Sequence, residues 1–145
     1  MIKIMVPNKK QQGFTLVELM IVIAIIAILA AIMVPNFIRA RANSQKSACE
    51  SNLKNFSTAL EMYAVDNDGH YPPSNLSTLK PKYLKELPEC PAAGFSTYSY
   101  ESVSRPSSPE DGYTVFCKGD YHKAAGLQMN YPLIGSHEGR VIEEP

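Results

Sequence analysis

From Phe14 to Ile38 the chain has no basic residue, and Glu18 is the only acid in that stretch. Over the whole chain 14 lysines and arginines balance 14 acids, and the bases do not gather into a cluster. That leaves no basic patch of the kind nucleic-acid binding draws on, so no direct contact with nucleic acid is expected. No glycine-rich loop is present to cradle a phosphate, so neither a nucleotide nor any other cofactor is expected. His70, His122 and His137 stand in loop-like contexts with no nucleophile or carboxylate at a telling spacing. An enzyme is therefore not expected.

What is present begins with an apolar run. Phe14 to Val34 contains only Thr15 and Glu18 as polar residues, and as a helix it would span about 31 Å, one hydrocarbon thickness. A head of about 110 residues could hardly surround an all-round apolar rod of that length, which disfavours a buried core helix. Lys3, Lys9 and Lys10 precede the run with no acid among residues 1–13, placing the N-terminus in the cytoplasm and the chain after Pro35 outside. An ordinary secretory signal, cut after the apolar run at a small residue, is the competing reading. Glu18 argues against plain anchoring. A carboxylate costs roughly 2.5–3.5 kcal/mol at the centre of a bilayer and less toward its edge. It therefore either reaches headgroups or faces a partner.

The stretch "KKQQGFTLVELMIVIAIIAILAAIMVPNF" resembles the signal of type IV prepilins and type II secretion pseudopilins. The shared features are a short basic leader, Gly13, then Phe-Thr-Leu-x-Glu, an apolar run and a proline. "SNLKNFSTALEMYAVDNDGHYP" and "YLKELPECPAAG" also resemble pilin heads. The resemblance implies an α+β pilin fold: a long N-terminal helix, its apolar half transmembrane and its amphipathic half packed on a small antiparallel sheet. It implies that a prepilin peptidase removes residues 1–13, cutting between Gly13 and Phe14, and that Phe14 is N-methylated. The new Phe14 amine would lie four residues upstream of Glu18, about 6 Å along one helix face. Pairing of the two, in the chain or with a neighbour, would set the register between subunits.

Residues 14–35 are thus expected to form a membrane and filament-core helix, and residues 36–145 the head, including an amphipathic helix over 36–66. Phe37, Ile38, Ala42, Cys49, Leu53, Phe56, Leu60 and Tyr63 recur mostly at three- and four-residue steps, with charged residues mostly between them. Pro35 removes a backbone donor and clashes with the preceding turn, so a bend or local melting is expected there, with a role in assembly. The alternative is a tolerated kink. "DNDG" should end the helix, with Asn67 or Gly69 left-handed. It is no EF-hand, because the position that needs a bidentate glutamate is Asn75. "SSPEDG", with Glu110 and Asp111, remains a faint calcium candidate; otherwise no metal is expected.

In the head, Leu76, Leu79, Tyr83, Leu84 and Leu87 could line a short helix or turns against the main helix. "STYSYES" and "GYTVFCKG" alternate as antiparallel strands joined through "PSSPEDG". A third strand is weakly signalled, and the last five residues are expected to be disordered. Three cysteines in an oxidising compartment point to one disulfide. Cys90 precedes a strand and Cys117 ends one, so their bridge is preferred; pairing of Cys49 with either stays open, and Cys49 otherwise acts as a small hydrophobe on the helix stripe. A Cys/Cys/His metal site using His122 is not expected, for the spacing is irregular.

The function implied is that of a repeating structural subunit of a type IV pilus or pilus-like filament. A pseudopilin of a type II secretion system, or a minor tip subunit binding a surface or DNA, are the alternatives. The partners implied are other copies of the chain, the prepilin peptidase, and an inner-membrane assembly platform with its ATPase. The subunit would wait in the bacterial inner membrane and move to a filament in the periplasm or at the cell surface.

Overall fold

A computed structural model describes residues 13–73, 75–103, 112–136 and 139–142. One helix, α1 (Leu16–Asp66), dominates the chain and is unbroken across Pro35. Local melting at Pro35 is therefore absent. The missing proline N–H leaves one carbonyl of the preceding turn without its donor, and beside that gap the Asn36 side-chain amide donates to the Ile32 carbonyl at 3.2 Å. By its contacts the chain divides into two compact units, Met1–Phe37 and Ile38–Pro145. In the first, residues 13–37 are all exposed.

The second unit holds the core, and its helical face follows from residue spacing. Cys49, Leu53, Phe56 and Leu60 fall at steps of four, three and four, which keeps them on one side of a 3.6-residue helix, and all four are fully buried. The helix ends at Asp66, where Asp68 and Gly69 turn left-handed and the Gly69 N–H donates to the Ala64 carbonyl at 2.9 Å. Asn67 instead donates from its side chain to the Tyr63 carbonyl at 2.7 Å.

A 3-10 turn (Leu76–Leu79) follows, its start capped by Asn75, whose side chain accepts the Ser77 N–H. Leu76 and Leu79 join the core, and Tyr83, Leu84 and Leu87 pack against it, so the proline-punctuated segment does line the helix. The sheet is a four-stranded antiparallel meander of β1 (Tyr98–Val103), β2 (Gly112–Cys117), β3 (Leu133–Gly135) and β4 (Val141–Ile142), paired in chain order. Both strands read from alternation form, and so does a third. The C-terminus differs from expectation. Val141 and Ile142 pair with Ile134 and Leu133, so part of the stretch expected to be disordered is strand, while residues 143–145 lie outside the described residues. On β2, Tyr113, Val115 and Cys117 alternate inward and are buried. Val115 and Tyr113 meet Leu53, Phe56 and Leu60 with Ile134 in one cluster. This is the α+β pilin fold.

Candidate functional site

Two places in the chain concentrate chemistry. The first is the start of α1. Thr15 sits just before the helix and exchanges hydrogen bonds with Glu18: the Thr15 N–H and Oγ1 each donate to Glu18 Oε2 at 2.8 Å, and the Glu18 N–H donates to Thr15 Oγ1 at 3.2 Å. This reciprocal pattern satisfies donors that a helix start leaves without partners. Phe14 is non-helical and 93 % exposed. Phe14 precedes this cap, and in the uncleaved chain the acid is held by Thr15. Gly13 is also exposed and outside the helix.

The second place lies within the head, where Cys49, Cys90, Cys117 and His122 bring four ligand-type atoms within 4.8 Å of one another, all buried. Each arrives by a different element. Cys49 comes from the buried stripe of α1 and Cys117 from the inward face of β2. Cys90 opens a tight turn in which the Gly94 N–H donates to the Cys90 carbonyl at 2.8 Å and the Cys90 N–H to the Phe95 carbonyl at 3.0 Å. The side-chain amides of Gln45 and Asn52 hold this loop on the helix, donating to the Pro91 and Glu89 carbonyls. His122 returns through "CKGDYH", where Gly119 adopts φ 113°. Gly119 is clamped both ways by Asn130, accepting its N–H at 2.8 Å and donating to its Oδ1 at 2.9 Å.

All three thiols are free. Cys90 and Cys117 Sγ lie 3.6 Å apart, and Cys90 Sγ lies 3.5 Å from His122 Nε2. The Tyr98 hydroxyl donates to Cys49 Sγ at 3.3 Å, and Thr97 Oγ1 stands 3.1 Å from Cys117 Sγ. A hydrogen bond from the Cys49 thiol, followed by lesser ones from its other neighbours, holds the Cys117 thiol below its ordinary range despite burial. Cys49 moves up in return, through the same bond and then burial. The preferred partners Cys90 and Cys117 are thus brought together, but Cys49 and His122 come with them.

A model of the prokaryotic N-terminal methylation motif matches residues 8–34. A competence protein, ComGC of Halalkalibacterium halodurans, is 38 % identical over 85 residues, covering 59 % of this chain and 81 % of that protein. The chain belongs to the type IV pilin and pseudopilin family. Within that family it is also similar to the type II secretion system core protein G of Escherichia coli, 39 % identical over 93 residues, covering 63 % of this chain and 61 % of the relative. The type IV major pilin protein PilA of Myxococcus xanthus is 51 % identical over 61 residues, covering 42 % and 28 %. The chain thus spans under two thirds of the length of these two relatives. No solved structure gives a significant match.

For a member of this pilin family, Gly13, Phe14, Glu18 and Pro35 all fall in the exposed unit. Glu110, Asp111 and His137 lie outside the described residues. Sequence reasoning missed the convergence of His122 on the thiols. Two signals stood in the text: Cys117 and His122 are five residues apart around a glycine, and Cys90 opens "CPAAG", a tight turn of small residues.

Proposed function

We propose that this chain is a repeating structural subunit of a pilus-like filament, carried to assembly from a membrane. The observation that carries the reading is the contrast within α1. Residues 13–41 have no buried position, whereas the same helix from Ala42 onward buries a stripe against the head. An apolar half-helix of that length needs lipid or other copies of itself to cover it, and the methylation motif over residues 8–34 supports processing before assembly. Cleavage between Gly13 and Phe14 would leave an amine just ahead of the Thr15–Glu18 cap. In the lone chain Thr15 satisfies the acid; in a filament the Phe14 amine of a neighbour would compete for it and fix register. Pro35 would be the place where the helix yields on assembly. The role is structural rather than enzymatic, with the N-terminus cytoplasmic before assembly and an ATPase elsewhere supplying energy.

The similarity to type II secretion core protein G supports a second reading, a pseudopilin. Electron microscopy of sheared surface fibres, with and without this chain, tests both. Fibres lost only in its absence support a pilin. Unchanged fibres with lost protein export support the pseudopilin, and neither loss refutes a filament role.

A further inference from the structure

We propose that Cys49, Cys90, Cys117 and His122 form a structural zinc site that ties helix α1, the Cys90 loop, strand β2 and the turn after it into one unit. The geometry is that of a closed tetrahedral site. With Zn–S of about 2.3 Å and Zn–N of about 2.05 Å, the edges of a regular tetrahedron are about 3.75 Å for S···S and about 3.55 Å for S···N. The two edges that can be compared directly are 3.6 Å and 3.5 Å. All four donor atoms fall within 4.8 Å of one another and all four residues are buried.

The donor set selects the ion. Three thiolates and one imidazole are soft and borderline ligands, and a redox-inert tetrahedral cation suits them. Oxygen-seeking calcium or magnesium finds no carboxylate or carbonyl in this ligand set. Three thiolates around a divalent ion leave one net negative charge, and the shell answers it. The Tyr98 hydroxyl donates to Cys49 Sγ, and Thr97 Oγ1 is positioned to donate to Cys117 Sγ. Tyr98 is itself held by the Asn52 amide at 3.0 Å. Such outer contacts orient ligands and spread charge.

A disulfide explains fewer of these residues. It would use two thiols and leave a third thiol and an imidazole buried beside it. His122 is only 3 % exposed, and its Nδ1 has no hydrogen-bond partner among the described residues. The polar contact this buried ring does make is on its Nε2 side, 3.5 Å from Cys90 Sγ, so the reason for burying it lies toward the thiols. As ligand, the neutral imidazole gives its Nε2 lone pair to the metal while Nδ1 keeps the proton. Zinc binding displaces three thiol protons and changes no oxidation state.

The test uses the full-length chain in detergent, purified without chelator or reductant. Elemental analysis should find one zinc per chain, and alkylation after denaturation and chelation should label all three cysteines. A strong chelator should lower the melting temperature, and zinc alone should restore it. Cobalt(II) in place of zinc should give a tetrahedral thiolate spectrum. His122→Gln should shift that spectrum and weaken zinc by more than the roughly 10–100-fold typical of losing an outer contact, while Tyr98→Phe should stay within that range. The inference is overturned if the chain takes up no zinc on incubation with the metal and carries a disulfide between any two of the three cysteines. Equal zinc affinity in His122→Gln overturns the imidazole's role. The wild-type measurements decide the matter even where a substituted chain folds poorly.

Discussion

Phe37 and Phe56 are the same residue on the same helix, and replacing each by alanine should separate the two halves of α1. Phe56 is fully buried, with Leu53, Leu60, Val115 and Ile134 in its cluster and the Tyr98 ring at 5.0 Å and 59°. Truncating a buried phenylalanine costs about 3–5 kcal/mol, and about 0.5–1.5 of that belongs to the tilted ring pair. The neighbours come from helix and strands that cannot close on the void independently, so about 4 kcal/mol is expected. A head of this size loses about 4 °C per kcal/mol, giving a fall of about 16 °C. Phe37 is 67 % exposed, and its truncation should stay within about 0.5 kcal/mol on head stability. Thermal and urea unfolding of the full-length chain in detergent, followed by near-ultraviolet circular dichroism of the tyrosines, measures both. Equal losses, or a Phe56→Ala loss below about 1.5 kcal/mol, would refute the assignment of the core to the second half of the helix.

Glu18→Ala should leave insertion and leader cleavage intact and reduce filament yield sharply; normal yield by shearing and microscopy removes the register role. At Gly119, φ is 113° and an added Cβ would stand 2.6 Å from Tyr121 Cε2. Gly119→Ala should cost about 1–3 kcal/mol from backbone strain in urea unfolding, and a loss under about 0.5 kcal/mol contradicts it. Burial, with the Glu61 carboxylate as a lesser contributor, pushes the Tyr113 hydroxyl up to about 12 even though its contact with Ser57 acts the other way. The folded chain therefore holds this proton where the unfolded one has lost it. Stability should be level below about pH 10 and fall as pH rises toward the folded value. Absorbance titration that finds every tyrosine ionising near its ordinary value refutes this. Asp66 is held below the usual carboxylate range by the Lys82 ammonium at 2.7 Å and then by the Tyr83 hydroxyl. This contact contributes above about pH 4 and is lost as pH falls through the lowered value. Lys82→Met should reduce that acid-side slope in a pH series of melts, leaving the Tyr83 share; an unchanged slope refutes the assignment.

The elements with a strong period were the legible ones. The three-and-four spacing of Leu53, Phe56 and Leu60 named the core face, and "DNDG" placed the helix end at the observed Asp66. The alternation of "GYTVFC" named the inward residues of β2. At Pro35 the helix of the lone chain runs on unbroken, because a proline removes one backbone hydrogen bond without having to break the helix. β4 is two residues long, too short to carry a period. "TLVE" has the spacing of a helix cap, yet the family resemblance drew attention to Glu18 as a contact between chains. The thiol and imidazole cluster was hidden for a different reason. It joins residues up to 73 positions apart, and its closure depends on a left-handed turn at Gly119 rather than on any local pattern.

The meander has a bearing on how such a chain polymerises cleanly. Because the strands pair in chain order, β1 and β4 are its two open edges. An open edge is a template for another strand, and in a crowd of identical copies every unguarded edge is a wrong way to stick. Here the β4 edge offers only two residues, and the six-residue β1 edge exposes Glu101, so a second copy pairing along β1 brings like charge to the same edge. In the filament proposed above, adhesion between copies would then be left to the apolar half-helix.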